Sequence, residues 1–201
     1  MAVTTDMIRE LRDETGAGVL DCKRALEETG GDIAAATELL RRQGLAAAAK
    51  KTERVASDGR IEPYVHPGNR LAALVEVNCE TDFVARTEEF IALTHELAMQ
   101  VAAAKPRWVS RNDVPAEVLE AQKASFAEEM AGQNKPPAVM ERIVTGKLDK
   151  FFQENCLLEQ AYIRDPERKI QDLITAAIAK LGENVVVRRF CRFQIGADEE
   201  E

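Results

Sequence analysis

The chain has 201 residues, of which 45% are hydrophobic and 31% charged, and its formal net charge at pH 7 is -8. This length and apolar content suffice for a buried core in one or two domains, and no apolar run is long enough to cross a bilayer. The acidic balance, without a basic stripe, argues against direct nucleic-acid binding. The first residues contain no secretory signal, and we expect a cytoplasmic protein that does not associate with membranes.

The first fifty or so residues are predicted to form three short helices. Thr5 is the expected cap of the first helix, and Gly16 ends it because glycine tolerates the left-handed conformation. A second helix is predicted from Val19 to Thr29. Asp32 is expected to cap the third helix, which Gly44 should end.

An alanine-rich stretch from Leu45 to Lys51 is predicted to be a short helical linker with few tertiary contacts, because it lacks large core side chains. The first domain should therefore end near Arg54. The predicted division is a helical module with its linker at residues 1–54 and a core domain at residues 55–201.

The hydrophobic period changes to two after Gly59. Two runs, Arg60 to His66 and Arg70 to Cys79, flank the turn sequence Pro67-Gly68-Asn69 and predict a β-hairpin. Pro63 cannot donate to a ladder of hydrogen bonds, so the first strand is expected to be an edge or bulged strand.

The rest of the chain alternates between helical and extended patterns. A long helix carries Phe90 and breaks before Pro106, and an antiparallel helix pair should follow. The later predicted elements are helices at Ala116 to Ala131, Ala138 to Asn155 and Glu167 to Leu181, and strands at Leu157 to Ile163 and Asn184 to Ile195. Helices mixed with a hairpin favour an α+β core with a small antiparallel sheet.

The last predicted strand has two unequal faces. Its more apolar face is expected to contain Val185, Val187, Cys191, Phe193 and Ile195. Such a face needs cover from another surface.

Few residues suggest an enzyme. Of the two histidines, His66 lies at the hairpin tip and His95 on a helix, and no nucleotide-binding glycine motif is present. The four cysteines have neither C-x-x-C spacing nor adjacent histidines, which predicts buried reduced thiols rather than a zinc site or disulfides. We expect no cofactor.

One segment, Asn78 to Arg86, has two interpretations. Thr81 or Asp82 can cap the helix that begins here, and Phe83 and Val84 then form a staple over the core. Alternatively, Phe83 is an exposed anchor for a partner protein. Sequence physics alone favours the staple, and hydrophobic periodicity does not distinguish the two interpretations.

Three separated segments have distinctive sequences. The first is Thr15 to Leu26, TGAGVLDCKRAL, the second is Glu76 to Ala85, EVNCETDFVA, and the third is Glu154 to Gln160, ENCLLEQ. Together they resemble the signature segments of the bacterial elongation factor Ts family. Three motifs in the right order across nearly the whole chain are far more specific than one short pattern.

The resemblance implies a ubiquitin-associated-like three-helix module and guanine nucleotide exchange on elongation factor Tu, without enzymatic catalysis. It further implies that the segment from Thr81 through Asp82 and Phe83 to Val84 dislodges Mg²⁺ from elongation factor Tu. Phe83 would be the wedge. The apolar pair at the start of the second helix would dock on the partner, with a basic residue at the rim of the contact. These docking residues are Val19, Leu20 and Lys23.

Short members of this family lack the second half of a duplicated core, so the resemblance also implies a homodimer. Two other classes of protein remain open at this point. One is a docking protein without exchange activity, and the other is a small enzyme that uses Glu80, Asp82 and His66.

Overall fold

The computed structural model describes residues 3–130 and 136–197. Its helices are α1 Thr5–Thr15, α2 Val19–Glu28, α3 Ile33–Ala49, α4 Asp82–Ala85, α5 Glu88–Ala104, α6 Ala116–Met130, α7 Pro137–Asn155 and α8 Ile170–Leu181. Its strands are β1 Asp58–Val65, β2 Leu71–Cys79, β3 Ala161–Tyr162, β4 Asp165–Lys169 and β5 Val186–Gln194.

The predicted α+β class is confirmed. One sheet has the strand order β1-β2-β5, and β3 pairs with β4 in a second, antiparallel sheet. Contacts divide the chain into two compact units. The first comprises 1–59, 78–90 and 174–186, and the second comprises 60–77, 91–173 and 187–201, each as far as it is described. The division at Arg54, with an independently folding core at 55–201, stays a prediction.

The three-helix bundle at the amino terminus belongs to the first unit. The cap of α1 is Thr4 rather than the expected Thr5, because Thr4 is extended and its hydroxyl accepts from the Met7 amide at 3.3 Å. Asp32 caps α3 as predicted, accepting from the Ala35 amide at 3.0 Å. The helices enclose Leu11, Cys22, Ala25, Leu26, Ala36 and Leu40.

Two expectations about α3 are wrong. Gly44 does not end the helix, which continues to Ala49 through the alanine-rich stretch. A Cβ placed on Gly44 would lie 3.2 Å from the Cβ of Ala179 in α8, so this glycine permits close helix contact. The supposed linker is also packed, because Ala48 is fully buried.

The hairpin of β1 and β2 forms as predicted, and β1 with Pro63 is an edge strand. The His66 amide donates to the Leu71 carbonyl at 2.9 Å and closes the turn. Within the second unit, α5 lies against the inner sheet face, where His95 contacts Glu62 at 3.2 Å. Arg192 of β5 donates to the Ala102 carbonyl of α5 at 3.0 Å.

The expected apolar face of the last strand is only partly correct. Val185 and Val187 are buried, but Arg188 and Arg189 are both exposed, which shifts the alternation by one residue. Beyond this shift the partly buried positions are Phe190 and Arg192, and Cys191, Phe193 and Ile195 are exposed.

The predicted start of the last helix, at Glu167, is also wrong. Residues Asp165–Lys169 form β4, where Ala161 pairs with Lys169, and α8 begins only at Ile170. The Asp172 carboxylate accepts from the Lys169 amide at 2.9 Å and stabilises this later start. The strand predicted at Leu157 to Ile163 is instead a 3₁₀ turn, Leu157–Glu159, followed by the two-residue strand β3.

The helix pair of α6 and α7 is confirmed, and Lys147 of α7 forms an ion pair with Glu129 of α6. The predicted helix end at Ala131 lies outside the described residues. Three of the four cysteines are buried thiols as expected, whereas Cys191 is exposed.

Two helical glycines give a matched test of packing. Gly146 lies in α7, and among the described residues a Cβ there meets nothing within 4 Å. We expect Gly146→Ala to raise the free energy of unfolding by about 0.5 to 1 kcal/mol through helix propensity. Gly44→Ala should yield clearly less, since the new methyl crowds Ala179. Urea denaturation measures both values, and an equal gain at Gly44 would contradict this close contact.

Candidate functional site

The segment between β2 and α5 turns a sharp corner in the first unit. Thr81 is the residue that caps α4, and its hydroxyl accepts from the Val84 amide at 3.4 Å. Asp82 is the first helical residue instead, and its carboxylate pairs with Arg86 at 2.8 Å. The single turn of α4 is followed by Thr87, whose hydroxyl donates to the Val84 carbonyl at 2.8 Å.

Phe83 projects into solvent from this corner, and 82% of its surface is exposed. The staple interpretation, which sequence physics favoured, is therefore wrong for Phe83. Ala85 of the corner is buried, as is Phe90 in the first turn of α5. Val84 is half-buried. An aromatic ring this exposed contributes little to the core and is available to a partner.

A carboxylate from the loop after α8 holds the corner. Glu183 Oε2 accepts from the amides of Glu80 and Thr81, each at 3.0 Å, and its Oε1 accepts from the Thr81 hydroxyl at 2.7 Å. In return, Glu80 Oε1 accepts from the Asn184 amide at 2.7 Å. The two segments are thus joined by reciprocal charge-assisted hydrogen bonds.

Beneath the corner, the Cys79 thiol donates to the Thr81 carbonyl at 3.1 Å. Burial, followed by the negative charge of Glu183, raises the pKa of Cys79 to about 11. The thiol is therefore protonated at neutral pH and acts as a donor rather than a nucleophile.

A second exposed apolar surface lies at the start of α2. Val19 is 53% and Leu20 67% exposed, although both precede the buried Cys22 on the same helix. Val19 also lines a shallow cleft of about 210 Å³, whose other lining residues are Thr5, Ile8, Arg9 and Arg12. Lys23, one turn further along, pairs with Glu27 at 3.7 Å on the surface.

The residues of the possible enzyme are engaged elsewhere. The His66 Nδ1 contacts the Tyr64 hydroxyl at 3.1 Å, and Glu80 accepts from Asn184 and lies 3.6 Å from Arg54. In the described ranges no three His, Cys, Asp or Glu side chains are grouped to hold a metal ion. None of the helices described is both long and apolar enough to span a membrane.

The family model described as elongation factor TS matches residues 34–197. The chain belongs to the elongation factor Ts family. The proteins named elongation factor Ts from Herpetosiphon aurantiacus and Caldanaerobacter subterraneus are 54% and 55% identical to it. The matches cover 98% and 96% of this chain and 100% and 97% of those proteins. The elongation factor Ts of Thermodesulfovibrio yellowstonii is 52% identical over the full length of both chains.

Membership in the elongation factor Ts family places the chain among the elongation factors of protein biosynthesis. Both exposed surfaces, the corner with Phe83 and the Val19 and Leu20 pair, lie in the first unit. Sequence reasoning missed Glu183 entirely. Its contacts span more than a hundred positions, and only the sequence Gly182-Glu183-Asn184 after a helix marks it as a turn.

Phe83 and Phe90 are expected to contribute very differently to the stability of the fold. Phe83→Ala should change the free energy of unfolding by under about 0.5 kcal/mol, because the ring is exposed. Phe90→Ala should cost about 3 to 5 kcal/mol, since the Phe90 ring is fully buried. Chemical denaturation of both variants measures the difference, and a similar loss at the two positions would restore the staple interpretation.

Proposed function

We propose that the protein is a guanine nucleotide exchange factor for elongation factor Tu in the cytoplasm. It binds the GDP complex, displaces Mg²⁺, promotes GDP release and stays bound until GTP enters. The proposal rests on one observation above all, the exposure of Phe83 at a corner held by hydrogen bonds from a distant segment. The exchange factor acts by binding alone and requires no cofactor.

Exchange by binding follows from linkage. A factor that binds its partner more tightly without nucleotide must weaken nucleotide binding by the same coupling free energy. Each tenfold acceleration of GDP release needs a barrier lower by about 1.4 kcal/mol. No covalent bond is made or broken.

In this proposal, the exchange factor loosens GDP by disturbing the Mg²⁺ ion of the GDP complex. Mg²⁺ requires a nearly ideal octahedral shell of oxygen ligands and keeps several ordered waters. We propose that Phe83 enters the partner as a wedge and that Thr81, Asp82 and Val84 accompany it, so that this shell is disturbed. The exposed ring supports this role, because it inserts without first unpacking the factor's own core.

The surface at the start of α2 supplies the docking contact in this proposal. Val19 and Leu20 present adjacent apolar side chains, and their burial by a partner is favourable by about 25 cal/mol for each Å² of apolar surface. Lys23 lies at the rim of this surface, where charges tune the association rate more than the affinity.

We further propose a homodimer formed through the open face of the three-stranded sheet. The inner face contacts α5, whereas exposed apolar side chains occur on each of the three strands. These side chains are Ile61 and Val65 on β1, Leu74 on β2, and Phe193 on β5. A second copy would cover this face, with Cys191 next to the contact.

Phe83→Ala is expected to lower the catalysed release of fluorescent GDP from elongation factor Tu severely, while the factor stays folded. A chelator in excess over Mg²⁺ should shrink the gap between variant and parent, because it removes the ion without the wedge. Val55→Ala is the control, since Val55 is 81% exposed in the same unit and lies outside both surfaces.

Wild-type release rates from a folded Phe83→Ala protein in saturating Mg²⁺ would reject the wedge. If the parent protein binds elongation factor Tu without accelerating release, it is a docking protein and the proposed exchange activity is wrong.

For the dimer, light scattering at micromolar concentration should yield twice the mass of the 22.3 kDa chain. Phe193→Glu places a charge in the proposed contact and is expected to yield the monomer mass. A monomeric parent protein, or a Phe193→Glu protein that remains fully dimeric, would rule out association through this face.

A further inference from the structure

The short helix α4 cannot hold its own conformation. A single helical turn fixes several residues for one hydrogen bond, so its formation is unfavourable without outside contacts. The Phe83 side chain does not hold α4 against the core, because its ring is exposed. The direction in which Phe83 projects must therefore be set by the groups that fix the residues before and after it.

Glu183 is the group that fixes the residues before it. Its two carboxylate oxygens take three donors from consecutive residues, the amides of Glu80 and Thr81 and the Thr81 hydroxyl. A carboxylate can accept all three at once, since it has two oxygens and no proton to place. The backbone entering α4 is thereby held at two successive peptide units.

The Thr81 hydroxyl links Glu183 to the helix itself. This hydroxyl has one proton, which it donates to Glu183 Oε1 at 2.7 Å, and its lone pairs remain for the Val84 amide at 3.4 Å. Glu183 thus selects the side-chain rotamer in which Thr81 caps α4. Without the carboxylate, the hydroxyl is free to rotate toward other acceptors.

The loop that carries Glu183 is itself anchored. Asn184 is buried, and its side-chain amide donates to the carbonyls of Thr52 at 3.2 Å and Arg54 at 2.7 Å. Its backbone amide donates to Glu80. Gly182 turns the chain out of α8 with a φ of 80°, a conformation that favours glycine. The carboxylate is therefore a fixed point rather than a mobile surface charge.

We infer that Glu183 is the positioning residue for Phe83: it holds the capped corner so that the ring is presented to the partner in one orientation. Glu183 contacts the corner backbone and Thr81, and acts on exchange only through them. This inference rests on the proposed exchange function.

The first experiment measures GDP release from elongation factor Tu over a range of factor concentrations. Glu183→Ala should lower the maximal release rate roughly tenfold to a hundredfold, as misplacing a reacting group by about 1 Å does in enzymes. The half-saturating concentration should stay close to that of the parent, because the Val19 and Leu20 surface is untouched. Leu20→Ala should have the opposite effect, raising the half-saturating concentration with little loss of maximal rate.

Two further variants distinguish positioning from general stability. Glu183→Gln should recover much of the rate, because its amide oxygen still accepts from the backbone and its NH₂ donates to the Thr81 hydroxyl. Glu89→Ala is the matched control, since it removes a carboxylate of the same unit that contacts Lys180 at 3.4 Å and not the corner.

A double-mutant cycle with Phe83→Ala tests whether Glu183 affects GDP release through Phe83. If Glu183 acts through Phe83, adding Glu183→Ala to Phe83→Ala should cost little more than Phe83→Ala alone. Independent, additive losses would overturn the inference, as would a wild-type maximal rate in a folded Glu183→Ala protein.

Amide hydrogen exchange separates this inference from the proposed function. In Glu183→Ala the Val84 amide should exchange faster, while the Ala36 amide of α3 stays protected. An unchanged Val84 amide would overturn the positioning role whatever the release assay yields. A parent protein that fails to accelerate GDP release rejects the exchange function, and with it the role of Glu183 in exchange.

Discussion

A bulky apolar side chain held in solvent is the constraint on which the candidate site depends. Burying a phenylalanine side chain stabilises a fold by about 1.5 to 3 kcal/mol. Phe83 does not contribute this stabilisation, because its ring is exposed. The corner must therefore be stabilised by polar contacts instead. Glu80 and Glu183 meet this need by each accepting a backbone amide from the other's segment. Such charge-assisted bonds are directional, and so they fix orientation as well as stability.

Much of the fold could be predicted from the sequence wherever local chemistry decides the structure. The helix cap at Asp32, the hairpin turn and the edge position of Pro63 follow from single residues and their immediate neighbours. The α+β class follows from the change of hydrophobic period. In each case the determining contact lies within a few positions along the chain.

The wrong bounds of α3 and α8 share one cause, which is that tertiary contacts override local preference. From the sequence, Gly44 is predicted to end a helix, but the structure places it within α3, packed against Ala179. Asp165-Pro166 is predicted to begin a helix, but these residues lie in β4, which pairs with β3. The same limit applies to the site. Periodicity cannot tell a buried Phe83 from an exposed one, and the resemblance to a family identified the segment without its support at Glu183.

The three-stranded sheet also bears on aggregation. Exposed strand edges recruit strands of other molecules, and folded proteins block them with proline, charge or irregularity. Here one edge strand, β1, carries Pro63, and the other, β5, carries the exposed Arg188 and Arg189 at the point where its alternation shifts. Both edges thus resist the addition of further strands. In the proposed homodimer, association through the sheet face would end at a closed pair instead of growing into a fibril.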